Sequence, residues 1–217
     1  MMYIAFEGVD GTGKSTMVER ATQFLNNAGW GAQAVKCPGT TELGMRIHHM
    51  LHTLEGVSQL EYQLLCTVAG LSLEPIVDGC FEDCRNVVAD RWNNASRYAY
   101  WMAMGGNEQQ IFELETMAIL TPPSYFILLV TEDVGGCLAR NKGVEVGENY
   151  AERAGVTFLE RVQHYYLRAA EKSMWAPWWI VDATPGRGVD EVWGDCHRII
   201  GSKMIEIELA AKAGKGE

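Results

Sequence analysis

The sequence predicts an α/β fold of three layers: a five-stranded parallel sheet with helices on both faces and a small lid. Three observations predict it. Five short apolar runs alternate with longer stretches of helical spacing. The first run ends in a glycine loop, "FEGVDGTGKST" (residues 6 to 16), which opens a helix. Glu7–Gly8, Asp90–Arg91 and Asp182 stand at the carboxyl ends of three of the runs, where open parallel sheets bind their ligands.

The first strand is "MYIAFE". The stretch "KSTMVERATQFLNNAG" follows as a helix, with Val18, Ala21, Phe24 and Leu25 on one face and Gly29 at its end. "GAQAVK" is the second strand, and "PGTTE" is a loop opening the helix "LGMRIHHMLH". A helical region covers about 60 to 80, and Pro75 predicts a kink or restart within it. "NVVAD" (Asn86 to Asp90) is a third buried strand, with helices around 95 to 104 and 107 to 118. "PPSYFILLV" supplies a turn and the fourth strand. "EDVGGCLARNKG" is a helix running into the polar, glycine-bearing segment 141 to 149. A helix from about 150 to 172, the strand "WWIVDA" and an amphipathic helix reaching toward Ala211 complete the order. With no internal repeat or low-complexity linker, residues 1–217 read as a single domain, with 141–153 as a mobile lid.

Composition narrows the function. The 47% hydrophobic content excludes intrinsic disorder. Eighteen basic against 28 acidic residues, a net charge of −10, argue against a nucleic-acid or membrane surface and fit a soluble cytoplasmic protein. The start lacks the pattern of a targeting peptide. The apolar run Tyr125 to Val130 is six residues long, against about 20 for a membrane span. The six cysteines are scattered, and they read as buried reduced thiols. Cys80 and Cys84 alone are close, on one helix face without nearby histidines.

Gly8, Gly13, Lys14 and Ser15 match G-x-x-x-x-G-K-[ST] at every fixed position, between a strand and a helix. This is a P-loop, and it makes the expected fold P-loop NTPase-type. Glycines let the backbone N–H groups and the helix N-terminus face phosphates. The candidate ATP site is therefore Gly8, Asp10, Gly11, Thr12, Gly13, Lys14, Ser15 and Thr16, with Lys14 reaching the β- and γ-phosphates. Ser15 and Asp90 are the candidate Mg²⁺ positions, and Arg91 suits bidentate grip of a phosphate. Asp10 is the anomaly, a carboxylate inside a loop built for anions.

In these pieces, and over nearly its whole length, the chain resembles the thymidylate kinases, a branch of the P-loop nucleoside monophosphate kinases. "FEGVDGTGKST" is similar to that family's opening phrase, "KCPGTTELGMRI" to its proline loop and the helix after it, and "VVADRW" to its strand-end Asp-Arg-Tyr. "VTEDVGGCLARNKG" resembles the helix leading into the lid, and "VDAT" the adenine-side loop, which adds Asp182 and Ala183 to the ATP site. The resemblance implies a transferase of nucleotide biosynthesis that moves the ATP γ-phosphoryl group to a deoxynucleoside monophosphate. It also implies Mg²⁺, a closing lid and a homodimer. By that resemblance Asp10 faces the acceptor sugar rather than ATP.

Phosphoryl transfer needs positive charge over the migrating group. Some members of the family carry an arginine in the loop, but Gly11 and Thr12 are uncharged. This matches the family's second type, in which lid arginines supply the charge. Arg140 and Arg153 are the candidates, beside Lys142 and Arg161, and they join Lys14 and Arg91 as catalytic residues.

The acceptor side departs from the pattern. Cys66 and Gly70 stand where the family has a Phe that stacks on thymine and an Arg that reads it. Each lost base contact is worth about 1–3 kcal/mol. His48 replaces an arginine for which Arg46 can substitute, Lys36–Cys37 replaces Arg-Glu, and Trp92 replaces Tyr. Trp92, Tyr98, Tyr100 and Trp101 form a candidate aromatic wall in place of the lost stacking residue. The acceptor candidates are thus Asp10, Arg46, His48, Cys66, Gly70, Arg91, Trp92 and Tyr100. The accepted base is thymine, a modified pyrimidine, or a purine in the space that Gly70 frees, with dTMP or a 5-substituted dUMP expected to lead.

Three other readings compete. A deoxynucleoside kinase would leave Arg91 without its phosphate. A non-catalytic P-loop module has no use for Lys14, Ser15, Asp90 and Arg91 together. A GTP switch needs an Asp two residues after Asn141–Lys142, where Val144 stands.

Overall fold

The structure is a computed structural model, and it describes residues 1–53, 56–141 and 155–214. The elements run β1 Tyr3–Glu7, α1 Lys14–Asn27, β2 Ala32–Lys36, α2 Glu42–Thr53, α3 Gln59–Glu82, β3 Asn86–Asp90 and α4 Asn93–Ala103. They continue α5 Glu108–Met117, β4 Tyr125–Val130, α6 Val134–Asn141, α7 Val156–Glu171, β5 Trp178–Asp182 and α8 Val189–Ala213.

The five strands form one sheet in the order β2-β3-β1-β4-β5, and every pairing is parallel. A central parallel strand is covered on both faces, so its residues alternate between two cores rather than between core and water. β1 shows this residue by residue. Ile4 and Phe6 join one cluster with Met17, Val18, Ala21 and Leu25 of α1 and Val192, Cys196 and Ile200 of α8. Tyr3 and Ala5 face the other way, onto Leu73, Val77 and Cys80 of α3. A third cluster packs α4 and α7 together through Ala99, Tyr100, Phe158, Leu159, Val162 and Tyr166.

This strand order positions the site. The chain leaves β1 toward one edge of the sheet and leaves β3 toward the other, so a crevice opens beyond their carboxyl ends. Phe6 pairs with Asp90 across the two strands, which sets the start of the glycine loop beside Asp90–Arg91.

Two expectations about α3 change. It runs unbroken through Pro75 rather than kinking or restarting there. Its start is held by a capping box, in which Ser58 accepts from the Glu61 N–H and Glu61 accepts from the Ser58 N–H. The proline costs one backbone hydrogen bond, which packing of Leu73 and Val77 on the sheet offsets. By length and composition α3 is also apolar enough to cross a membrane, although it holds no long uninterrupted apolar run. One face of it lies on the sheet instead. The cysteines are free thiols, five of them buried, but Cys84 is exposed.

Candidate active site

The glycine loop takes its shape from positions that admit no side chain. A Cβ on Gly8 would lie 2.4 Å from the Leu129 carbonyl oxygen, and one on Gly11 would lie 1.9 Å from that of Cys137. Both have positive φ, +141° and +82°. The uncharged state of Gly11 thus has a packing cause. The backbone of α6 fills the room an arginine would need, and about one turn further along α6 stands the exposed Arg140. Thr12 is buried, and its hydroxyl donates to the Val9 carbonyl.

Lys14 opens α1 and is itself buried. Its Nζ donates to the Val9 carbonyl at 2.8 Å and lies 3.9 Å from Asp10 Oδ1. Burial pushes its ammonium down to about 8; Arg91 pushes the same way, and Asp10 opposes both. Ser15 Oγ donates to Asp90 Oδ2 at 2.6 Å. A hydroxyl and a carboxylate thus converge between the ends of β1 and β3, hard oxygen donors that suit Mg²⁺. Among the described residues no three His, Cys, Asp or Glu side chains group to hold a metal.

On the other side of the loop a polar network surrounds Arg91. Its φ of +74° is left-handed, a conformation worth about 1–3 kcal/mol of strain in a non-glycine residue. Its Nη2 donates to Asp10 Oδ1 at 2.5 Å, its Nη1 to the Tyr166 hydroxyl at 2.9 Å, and its guanidinium stands 5.6 Å from the centre of the Tyr100 ring. Beneath it Glu7 is fully buried, and burial raises its carboxyl above the ordinary range while Arg91 opposes the shift. Glu7 accepts from the Trp92 backbone N–H at 2.6 Å and from Ser96 Oγ at 2.9 Å. Ser96 in turn meets the Tyr166 hydroxyl at 3.0 Å. Asp10 therefore faces two cations, Arg91 at 2.5 Å and Lys14 at 3.9 Å.

One side of the crevice can hold a polyphosphate and its metal; the other offers a fixed guanidinium, a carboxylate and two phenols. A family model described as thymidylate kinase matches residues 6–191. The chain belongs to the thymidylate kinase family. It is 30% identical over 212 residues to the thymidylate kinase of Nitratidesulfovibrio vulgaris, covering 94% of this chain and 97% of that one. It is 28% identical over 205 residues to that of Thermosipho melanesiensis, covering 94% and 99%. Among solved structures it is similar in fold to thymidylate kinase from Ehrlichia chaffeensis, with TM-score 0.72, 19% identity, and 92% and 98% of the two chains covered. Thymidylate kinase from Candida albicans is similar too, with TM-score 0.73, 22% identity, and 94% and 92% covered. As a member of the family the chain is an ATP-dependent nucleoside monophosphate kinase.

The remaining sequence candidates divide within this frame. Tyr100 stands at the site, its hydroxyl 3.5 Å from Arg91 Nη2. The other three aromatic residues do not form the expected wall. Trp92 packs edge-on against Phe126 and Trp175 in the core, and its indole N–H donates to the Thr121 carbonyl. Tyr98 is buried with its hydroxyl on Glu108, and Trp101 donates to the Asn107 carbonyl. Burying such rings removes more apolar surface from water than any wall position would, so three of the four are core. Nor does Gly70 free space for a purine, since a Cβ there would meet Asn93 atoms at 2.6 to 2.9 Å. Asn93, on α4, fills the room.

Cys66 is buried in a cluster with Ile47 and Leu51 of α2, Arg46 is exposed and paired with Glu42 at 2.7 Å, and His48 is half-buried. Asp182 is exposed, and Thr184 donates to its carboxylate through both N–H and hydroxyl, while the Ala183 N–H donates to the Val130 carbonyl. Arg153 and the segment 142–153 lie outside the described residues.

Sequence reasoning left Glu7, Ser96 and Tyr166 out of the site. Glu7 carried a signal, a carboxylate ending a strand that is otherwise wholly apolar and buried. Tyr166 carried none, because it reaches Arg91 across 75 residues from a helix with no motif.

Proposed function

We propose that the chain transfers the γ-phosphoryl group of ATP to dTMP or a 5-substituted dUMP, giving the diphosphate. The observation that carries this reading is the division of labour around the glycine loop, with Lys14 and the Ser15–Asp90 pair on one side and the Asp10–Arg91 pair on the other. Lys14, the loop N–H groups and the α1 N-terminus would hold the ATP phosphates. Mg²⁺ would be held by Ser15 and Asp90, where it supplies charge neutralisation on the β- and γ-phosphates. Arg91, held by Asp10 and Tyr166, grips the acceptor phosphate, while Tyr100 and Asp10 flank its sugar. Arg140, joined by Arg153 from the lid segment 141–153, covers the migrating group. The turn from Asp182 through Ala183 to Arg187 flanks the adenine.

A homodimer belongs to this reading. Leu60, Leu64, Val68 and Leu71 form an exposed apolar stripe on α3, and Leu43, Met45 and Met50 are exposed on α2. The cytoplasm is its setting, supported by the acidic balance and the free thiols.

A coupled assay with ATP and each common deoxynucleoside monophosphate tests the reading. Turnover is expected with dTMP leading. ATP consumption independent of any acceptor, or turnover of unphosphorylated nucleosides alone, would overturn it.

A further inference from the structure

Across the contact between α3 and α4 the buried side chains are polar. Gln63, Thr67 and Gly70 share one face of α3, at spacings of four and three, with Cys66 beside them in a cluster with Ile47 and Leu51 of α2. Asn93, Arg97 and Tyr100 share the facing stripe of α4, at the same spacings. Gln63 is 0% exposed and Arg97 is 2% exposed. Arg97 Nη1 donates to Thr67 Oγ1. Its Nε and Nη2, both ends of the Gln63 amide and the Asn93 amide nitrogen have no hydrogen-bond partner among the described residues. No ion pair to Arg97 forms among the described residues, although the Glu115 carboxylate, whose Oε1 also has no partner, favours its charge from further away.

A buried guanidinium with two idle donors is expensive, and its place in the fold calls for a partner that completes it. The place is informative. Arg97 sits one turn before Tyr100, which touches Arg91. Its charge is felt at Cys66, one of the two positions where the family resemblance sets the base contacts. The other, Gly70, cannot regain an arginine, because Asn93 occupies the space.

We infer that Arg97 and Gln63 read the base of the acceptor nucleotide, the cation having moved from α3 to α4. This rests on the nucleoside monophosphate kinase reading above and narrows its substrate. Nε–H and Nη2–H lie on one edge of the guanidinium and can only donate, so they match a ring carbonyl. The Gln63 amide carries one acceptor and two donors, so it matches the N–H beside that carbonyl. The edge recognised is C=O next to N–H, found in thymine and 5-substituted uracil and also in guanine. Cytosine and adenine present an amino group there, whose hydrogens would face those of Arg97.

The test pairs a substrate atom with a side chain. The kcat/KM of the whole enzyme is measured with ATP for dTMP, its 4-deoxo analogue, dCMP and dGMP, in wild type and Arg97→Met. Wild type is expected to prefer dTMP over the 4-deoxo analogue and dCMP by about 10- to 100-fold, the range of one good base contact. Arg97→Met should collapse that ratio toward one by slowing dTMP alone. The rise in melting temperature that dTMP induces in wild type should disappear in the variant. Equal losses on all acceptors with the ratio intact would show Arg97 to be structural and overturn the inference. So would a wild type indifferent to the 4-oxo group, whatever the variant does. A lead for dGMP over dTMP would uphold the reading of the edge and identify guanine as its source. No turnover with any monophosphate would instead overturn the kinase reading itself.

Discussion

The Arg91 guanidinium donates to the Asp10 carboxylate at 2.5 Å, joining two loops 81 residues apart. The pair explains an acid in a phosphate loop. Asp10 is neutralised by Arg91 and, at 3.9 Å, by Lys14, so its charge is directed away from any phosphate on the loop. It also holds a left-handed arginine in place.

Asp10→Asn keeps the shape and removes the charge. It is expected to lower kcat/KM for the acceptor about 10- to 100-fold while moving the KM for ATP less than about threefold. Steady-state kinetics with each substrate varied in turn checks this. A dominant effect on ATP would reassign Asp10 to the donor side.

Lys14→Ala should remove turnover by a factor on the order of 100 or more, the usual loss for one preorganised charge on a developing anion. The same side chain predicts a pH dependence. Its ammonium is lowered to about 8, so it is cationic below that value and neutral above it. In the free enzyme kcat/KM for ATP should therefore fall as pH rises through about 8, well before an ordinary lysine titrates. A profile flat to pH 10 would contradict the burial of this group.

Gly11→Arg tests whether the loop can accept the cation it lacks. The Cβ would overlap the Cys137 carbonyl, and φ is +82°. About 3 kcal/mol of clash and strain should lower the melting temperature by roughly 6–12 °C, with no gain in rate. A stable, faster variant would mean that α6 gives way.

Arg140→Ala should lower kcat about 100-fold and leave ATP affinity within about threefold, because a cation over the migrating group acts mainly in the transition state. Near-normal kcat would rule Arg140 out and leave Arg153 as the catalytic cation of the lid.

The order of elements along the chain, the glycine loop and the Asp90–Arg91 strand end were legible in the sequence. Each rests on contiguous residues: the apolar runs, the punctuation by glycine, and a backbone cradle whose geometry is local. Even the absence of charge at Gly11 was visible, although its cause, the approach of α6, was not. The residues expected around the acceptor were read less well because their contacts arise only through packing. Nothing in "WNNASRYAYW" tells a Trp92 packed in the core from a Tyr100 that touches Arg91; helix phase and the fit of α4 against α3 and α7 decide that. Likewise Gly70 looked like open room until Asn93 filled it. Glu7, Ser96, Tyr166 and Arg91 come from four separate segments, and their bonds depend on sheet register and on which helix faces dock. A local pattern fixes a helix or a loop because its bonds close within a few residues. A side-chain network closes across 70 to 89 residues, and only the packed fold brings its members within reach.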